Sequence, residues 1–173
     1  MTIGSCLRRL GSAASESVET FRELLLTLGD VPHDEDEPAC VEALVARVTD
    51  VEGRLQSMTD SIAAALREDA EQLDTRRCAR AVAVCQEICN DVSRMMHGEL
   101  ATARNFIEIN TVADERGGAW TRWREVVQHE LEQCQSTIDA IAAALLECWR
   151  EIADRGGGAV SVTATNIGQQ VTV

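Results

Sequence analysis

Apolar residues recur along this chain at steps of three and four, the spacing that places them on one face of an α-helix. Val18, Phe21, Leu24, Leu25 and Leu28 form the first such set. Ser15 or Ser12 is a suitable cap for a helix over Glu16–Leu28, and Gly29 is a suitable stop. Residues 1–14 are poor in periodic apolar positions, so this first helix is expected to be short. A second set, Val41, Leu44, Val48, Val51, Leu55, Met58, Ile62 and Ala65, alternates three and four through a segment that begins near Ala39. That is an apolar seam at heptad spacing. Gly53 lies within it and weakens an isolated helix by roughly 1 kcal/mol.

The third segment runs from about Arg77 to Ala113, with Cys78, Ala81, Cys85, Ile88, Val92 and Met95 as its seam. Val82, Cys89, Met96 and Ala103 widen that face, which predicts more than one packing neighbour. Continued in phase, the seam brings Glu99 inward, so the segment either bends there or lets the carboxylate reach solvent near a bundle end. The last long segment, Ala119–Asp154, follows Gly117-Gly118. In it Trp120, Val127, Cys134, Ile141 and Cys148 form one register, and Leu131, Ile138, Leu145 and Ile152 form its companion. At about 1.5 Å per residue such a helix spans roughly 54 Å, a length that needs lateral partners.

An internal match supports this division. Leu55–Arg76 laid over Cys134–Arg155, an offset of 79, gives ten identities in 22 positions, including Ile62-Ala-Ala-Ala-Leu66 against Ile141-Ala-Ala-Ala-Leu145. It places the end of the second segment near Arg76. The competing reading is one continuous helix from Ala39 to Ala113, since Asp74-Thr75 contains no helix breaker. The expected fold is therefore all-α: an elongated antiparallel three- or four-helix bundle with coiled-coil-like packing. Residues 1–38 supply a short helix and an acidic linker, 39–155 the long-helix bundle, and 156–173 a glycine-led tail. In the tail Val160, Val162 and Ala164 alternate with Ser161, Thr163 and Thr165 before Asn166-Ile-Gly168 and Val171-Thr-Val173. This is strand chemistry, fit for a hairpin or for main-chain pairing with another chain.

Composition narrows the chemistry. All 16 basic residues are arginine, and lysine and tyrosine are absent, which removes the P-loop lysine, the lysine Schiff base and a phenolic proton donor. A net charge of −13 disfavours phosphate backbones and anionic lipid, and no basic arm is hidden in the total. Nucleic acid is thus not an expected partner, nor is a membrane: no apolar run approaches a spanning length, and the first residues lack the apolar core of a secretion signal. The expected location is cytoplasmic. Cys6, Cys40, Cys78, Cys85, Cys89, Cys134 and Cys148 include no Cys-x-x-Cys pair, so most are expected to be reduced, buried thiols.

Candidate chemical groups are few. Cys78, Cys85 and Cys89 share a helical face and could meet Cys134 and Cys148 across a seam, which keeps a thiolate metal-binding bundle as an alternative. His97 and His129 fall off the seams, and His33 belongs to the acidic linker. Trp120, Trp123 and Trp149 are large apolar anchors for a core or an interface. These features lead to a noncatalytic helical scaffold or adaptor without catalytic residue, metal or cofactor. It is expected to self-associate or to bind another helical protein through Trp120, Trp123, Val127, Leu131, Cys134, Ile138, Ile141, Leu145 and Trp149. The tail residues Val160, Val162 and Val171 would add a second contact. A membrane-active helical protein is the other alternative.

Overall fold

A computed structural model describes residues 2–32, 39–68, 75–105 and 118–156. They form an all-α bundle of four helices. α1 spans Ile3–Gly29, α2 Ala39–Glu68 and α3 Thr75–Met95. α3 passes into a π-helical turn, Met96–Leu100, and resumes as α-helix over 101–105. α4 spans Gly118–Gly156, 39 residues, and is the longest. The tail from 157 onward, with Val160, Val162 and Val171, lies outside the described residues.

Cross-helix contacts fix the directions. Gly11 lies against Ile62, and Arg22 reaches Glu52 at 2.9 Å, so α1 and α2 run antiparallel. Arg54 to Asp91 at 3.1 Å, with Arg47 to Glu99, does the same for α2 and α3. Arg104 to Glu132 at 3.6 Å joins the end of α3 to the first half of α4. Arg9 to Glu147 at 2.9 Å and Ser17 to Thr137 at 3.0 Å close the ring between α4 and α1. The topology is therefore up-down-up-down, each helix flanked by two antiparallel neighbours and few contacts crossing the diagonals. α2 and α3 pack side by side, which excludes the single continuous helix from Ala39 to Ala113. The exposed ion pairs at each seam contribute little free energy but define its register.

The first helix is longer than its apolar pattern predicts. Ile3, Cys6, Leu7, Leu10 and Ala14 are buried and extend the inward face two turns and more ahead of Val18. Thr2 starts it with a reciprocal cap: the Ser5 backbone N–H donates to Thr2 Oγ1 at 3.2 Å, and the Thr2 backbone N–H donates to Ser5 Oγ at 3.1 Å. Two orphan donors of the first turn are thereby satisfied. α1 is consequently a full member of the bundle, with its most extensive contacts to α4 and then α2.

One continuous apolar cluster joins the four helices. α2 contributes Val41, Leu44, Val48, Val51, Leu55, Met58 and Ile62, all buried. Burial of each such side chain stabilises by about 1.5–3 kcal/mol before ordering costs. Ser17 is the one buried polar residue among those described. Thr137 donates to the Cys134 carbonyl at 2.9 Å, which leaves the Thr137 oxygen to accept from the Ser17 hydroxyl.

The internal match has a structural counterpart at the helix starts, whereas the boundary it placed near Arg76 falls inside α3, which begins at Thr75. An offset of 79 carries the start of α2 at Ala39 onto the start of α4 at Gly118. Val41 and Trp120, Leu44 and Trp123, Val48 and Val127, Leu55 and Cys134, and Ile62 and Ile141 are buried at both members of each pair. Gln56 donates to Asp60 at 3.1 Å, and its counterpart Gln135 donates to Asp139 at 3.0 Å. The same offset relates Ile3 to Val82, Cys6 to Cys85, Leu10 to Cys89 and Phe21 to Leu100, all buried. The match of α1 with α3 is partial, since buried Val18 corresponds to exposed His97.

Candidate functional site

Three places in the bundle concentrate chemically distinctive side chains. The first is the end where α4 begins and α1 finishes. Trp120 and Trp123, one turn apart, stack edge to face with ring centroids 5.5 Å apart and planes at 76°. Trp123 Nε1 donates to the Thr27 carbonyl at 2.9 Å, a second donor to an oxygen that also accepts from the Asp30 N–H at 3.3 Å, and pins the two helix ends together. Trp120 Nε1 is buried and has no hydrogen-bond partner among the described residues. The adjoining Leu24, Leu28 and Val31 of the α1 end are also buried.

The second place is the thiol-rich core at the opposite end. All seven cysteines are free, and all but Cys40 are buried; for Cys78, Cys85, Cys89, Cys134 and Cys148 this follows their apolar registers. Cys148 on α4 is in thiol contact with Cys6 on α1 and lies near Cys85 on α3. Burial pushes the Cys148 thiol up to about 12, helped by those two neighbours and Glu147. Cys134, one of the α4 seam positions, is likewise pushed up to about 12 by burial, then by Glu130. Cys85 rises to about 11 through burial and the adjacent Cys89. Such thiols stay protonated near neutrality, which suits packing and not nucleophilic attack. Among the described residues no three histidines, cysteines or carboxylates come together to hold a metal ion.

The third place is the π-helical turn. An α-helix advances about 100° per residue, and a π turn advances less. Inserted at Met96–Leu100, it swings Glu99 off the core and sets Leu100 into it: Met96 and Leu100 are buried, whereas His97, Gly98 and Glu99 are exposed. Of the two outcomes open to Glu99, the carboxylate reaches solvent and pairs with Arg47 across the α2–α3 seam. Beside it, Asp91 accepts from both Arg54 and Arg94, each at 3.1 Å. Arg54, Asp91, Arg94 and Glu99, with Met95 and Gly98, line an open groove of about 420 Å³. Sequence reasoning singled out Glu99 but missed Arg47, Arg54, Asp91 and Arg94. The available signal was the Asp91–Arg94 spacing of three and the phase conflict at Glu99.

Of the residues expected at an interface, Trp120, Trp123, Val127, Leu131, Cys134, Ile138, Ile141 and Leu145 are all buried inside this one chain. Trp149 is partly buried against the same core. Their packing is thus intramolecular. His97 and His129 are exposed, as expected, and His33 lies outside the described residues. Among the described residues the large apolar side chains on the outside are Leu26, 72% exposed, with Val84, Val126 and Leu146. No helix among the described residues is long and apolar enough to cross a membrane. No family model, curated protein or solved structure matches the chain.

Proposed function

We propose that this chain is a noncatalytic helical scaffold or adaptor that self-associates or binds a helical protein partner in the cytoplasm. The observation that carries the reading is the interior: one apolar cluster runs through all four helices, and Ser17 is the one buried polar residue among those described. An interior occupied by interlocking side chains suits a stiff body whose contacts are made by its outer faces. Leu26, Val84, Val126 and Leu146 offer such contacts, and coiled-coil-like packing of a partner helix is the natural mode. The strand-prone residues of 156–173 would add main-chain pairing as a second contact. A net charge of −13 keeps such a body soluble and selects against unspecific association.

Light scattering on the full chain and on residues 1–155 tests the proposal. The full chain is expected to exceed monomer mass at tens of micromolar, and loss of the tail is expected to reduce that mass. Monodisperse monomers from both would discard self-association and leave a heteromeric partner as the remaining form of the reading.

A further inference from the structure

In an up-down-up-down bundle, consecutive helices are tied by their connecting segments, so three of the four seams are covalently closed. The seam between the first and last helices has no such tie. Cys6 and Cys148 face each other across it. Their thiols are in contact, Arg9 and Glu147 pair at 2.9 Å within one turn of them, and both cysteines point into the core at 1% and 2% exposure. We propose that Cys6 and Cys148 form a redox pair that closes this open seam with a disulfide, using a low-molecular-weight disulfide such as oxidised glutathione as the oxidant.

The chemistry is two successive exchanges. One protein thiol, as its thiolate, attacks the oxidant, forms a mixed disulfide and releases one glutathione thiol. The second protein thiolate then attacks the protein sulfur of that mixed disulfide, forms the Cys6–Cys148 bond and releases the second glutathione. Two electrons pass from the protein sulfurs to glutathione disulfide, and the two thiol protons end on the released glutathiones. Burial disfavours both thiolates, and the carboxylates of Glu151 and Glu147 reinforce this at Cys6. Exchange therefore requires α1 to part from α4, and the bond, once made, prevents that parting. Because it joins the first helix to the last, it closes a loop over most of the chain, the arrangement in which a cross-link restricts the unfolded state most.

The test is to equilibrate the reduced full chain with excess oxidised glutathione, remove the glutathione and measure intact mass, peptide linkage and thermal unfolding. The expected result is a loss of two hydrogens from the protein. Digestion at arginine and glutamate should then join the 1–8 peptide to the 148–150 peptide, and Tm should rise by about 10 °C, reversibly with reductant. C6A and C148A should each remove the linkage and the rise. Complete alkylation of Cys6 and Cys148 after the treatment would overturn the proposal. So would a Cys85–Cys148 linkage in place of the expected one, or a Tm rise that survives in C6A. The linkage is read on the unaltered chain, so a poorly folding variant does not decide the outcome.

Discussion

α1 and α3 stand at opposite corners of the bundle, run in the same direction and pack between the same two neighbours. They meet that shared task differently. α1 is one uninterrupted α-helix whose inward positions, from Ile3 through Phe21 to Leu28, stay in phase over 27 residues. α3 keeps phase only to Met95; a π turn then places Leu100 in the core and Glu99 outside it. The difference shows that core phase is the stronger constraint. A carboxylate at an inward position would cost several kcal/mol by desolvation, more than the poorer hydrogen-bond geometry of one widened turn. The backbone yields, and the apolar stripe continues.

The most severe way to break that comparison is to remove one residue. Deletion of Gly98 converts the widened turn to ordinary α-helix while Met96 and Leu100 remain three apart, still on one face. Its expected effect on stability is no more than about 1 kcal/mol. Deletion of Ala83, in the regular part of α3, turns Cys85, Cys89 and Val92 away from their partners by about 100° and is expected to cost more than about 4 kcal/mol or to abolish cooperative unfolding. Urea denaturation of both variants separates the cases. Equal, large losses would mean that the π turn is no phase correction.

A gentler set probes the same registers by side chain. Phe21 and Leu100 are equivalent under the 79-residue offset, and both are fully buried. Phe21→Ala should cost about 3–5 kcal/mol and Leu100→Ala about 2–4 kcal/mol, as cavity-forming changes do. Glu99→Ala, which removes a half-exposed partner of Arg47, should stay within about 0.5 kcal/mol. A cost at Glu99 comparable to that at Leu100 in chemical denaturation would place the carboxylate, not the leucine, at the load-carrying position.

The four helices also differ in how far their sequences betray them. The seams of α2 and α4 were readable, because Val41 to Ile62 and Val127 to Ile152 repeat apolar residues, most of them large, at unbroken spacing, and those positions are buried. The first half of α1 was not readable. Its core is built from Cys6, Ala14 and Ser17 beside the leucines, and Arg8, Arg9 and Gly11 interrupt the pattern. The signal for its start was the Thr2-Ile-Gly-Ser5 cap, which closes with serine where glutamate or glutamine is the familiar partner. Glu99 revealed a conflict of phase but not its resolution, since a π turn has no compositional signature of its own. The candidate contacts were harder still. Periodicity identifies faces that avoid water, yet a face covered by the chain's own helices and one covered by another chain carry the same pattern.

The smallest expected effects come from two helical glycines, and they sharpen the contrast between surface and seam. Gly53 on α2 has open space where a Cβ would stand, whereas a Cβ at Gly11 on α1 would lie 3.2 Å from Ile62 Cγ2. Alanine gains about 1 kcal/mol over glycine in a helix interior through backbone entropy. Gly53→Ala should therefore stabilise by about 0.5–1 kcal/mol. At Gly11 the same entropic gain is opposed by compression against Ile62, which is only 1% exposed and has little room to move. Gly11→Ala is expected to gain less than half as much, or to destabilise. Equal gains in denaturation midpoint would show that the α1–α2 seam opens without cost, and α1 would then owe its place in the bundle to α4 alone.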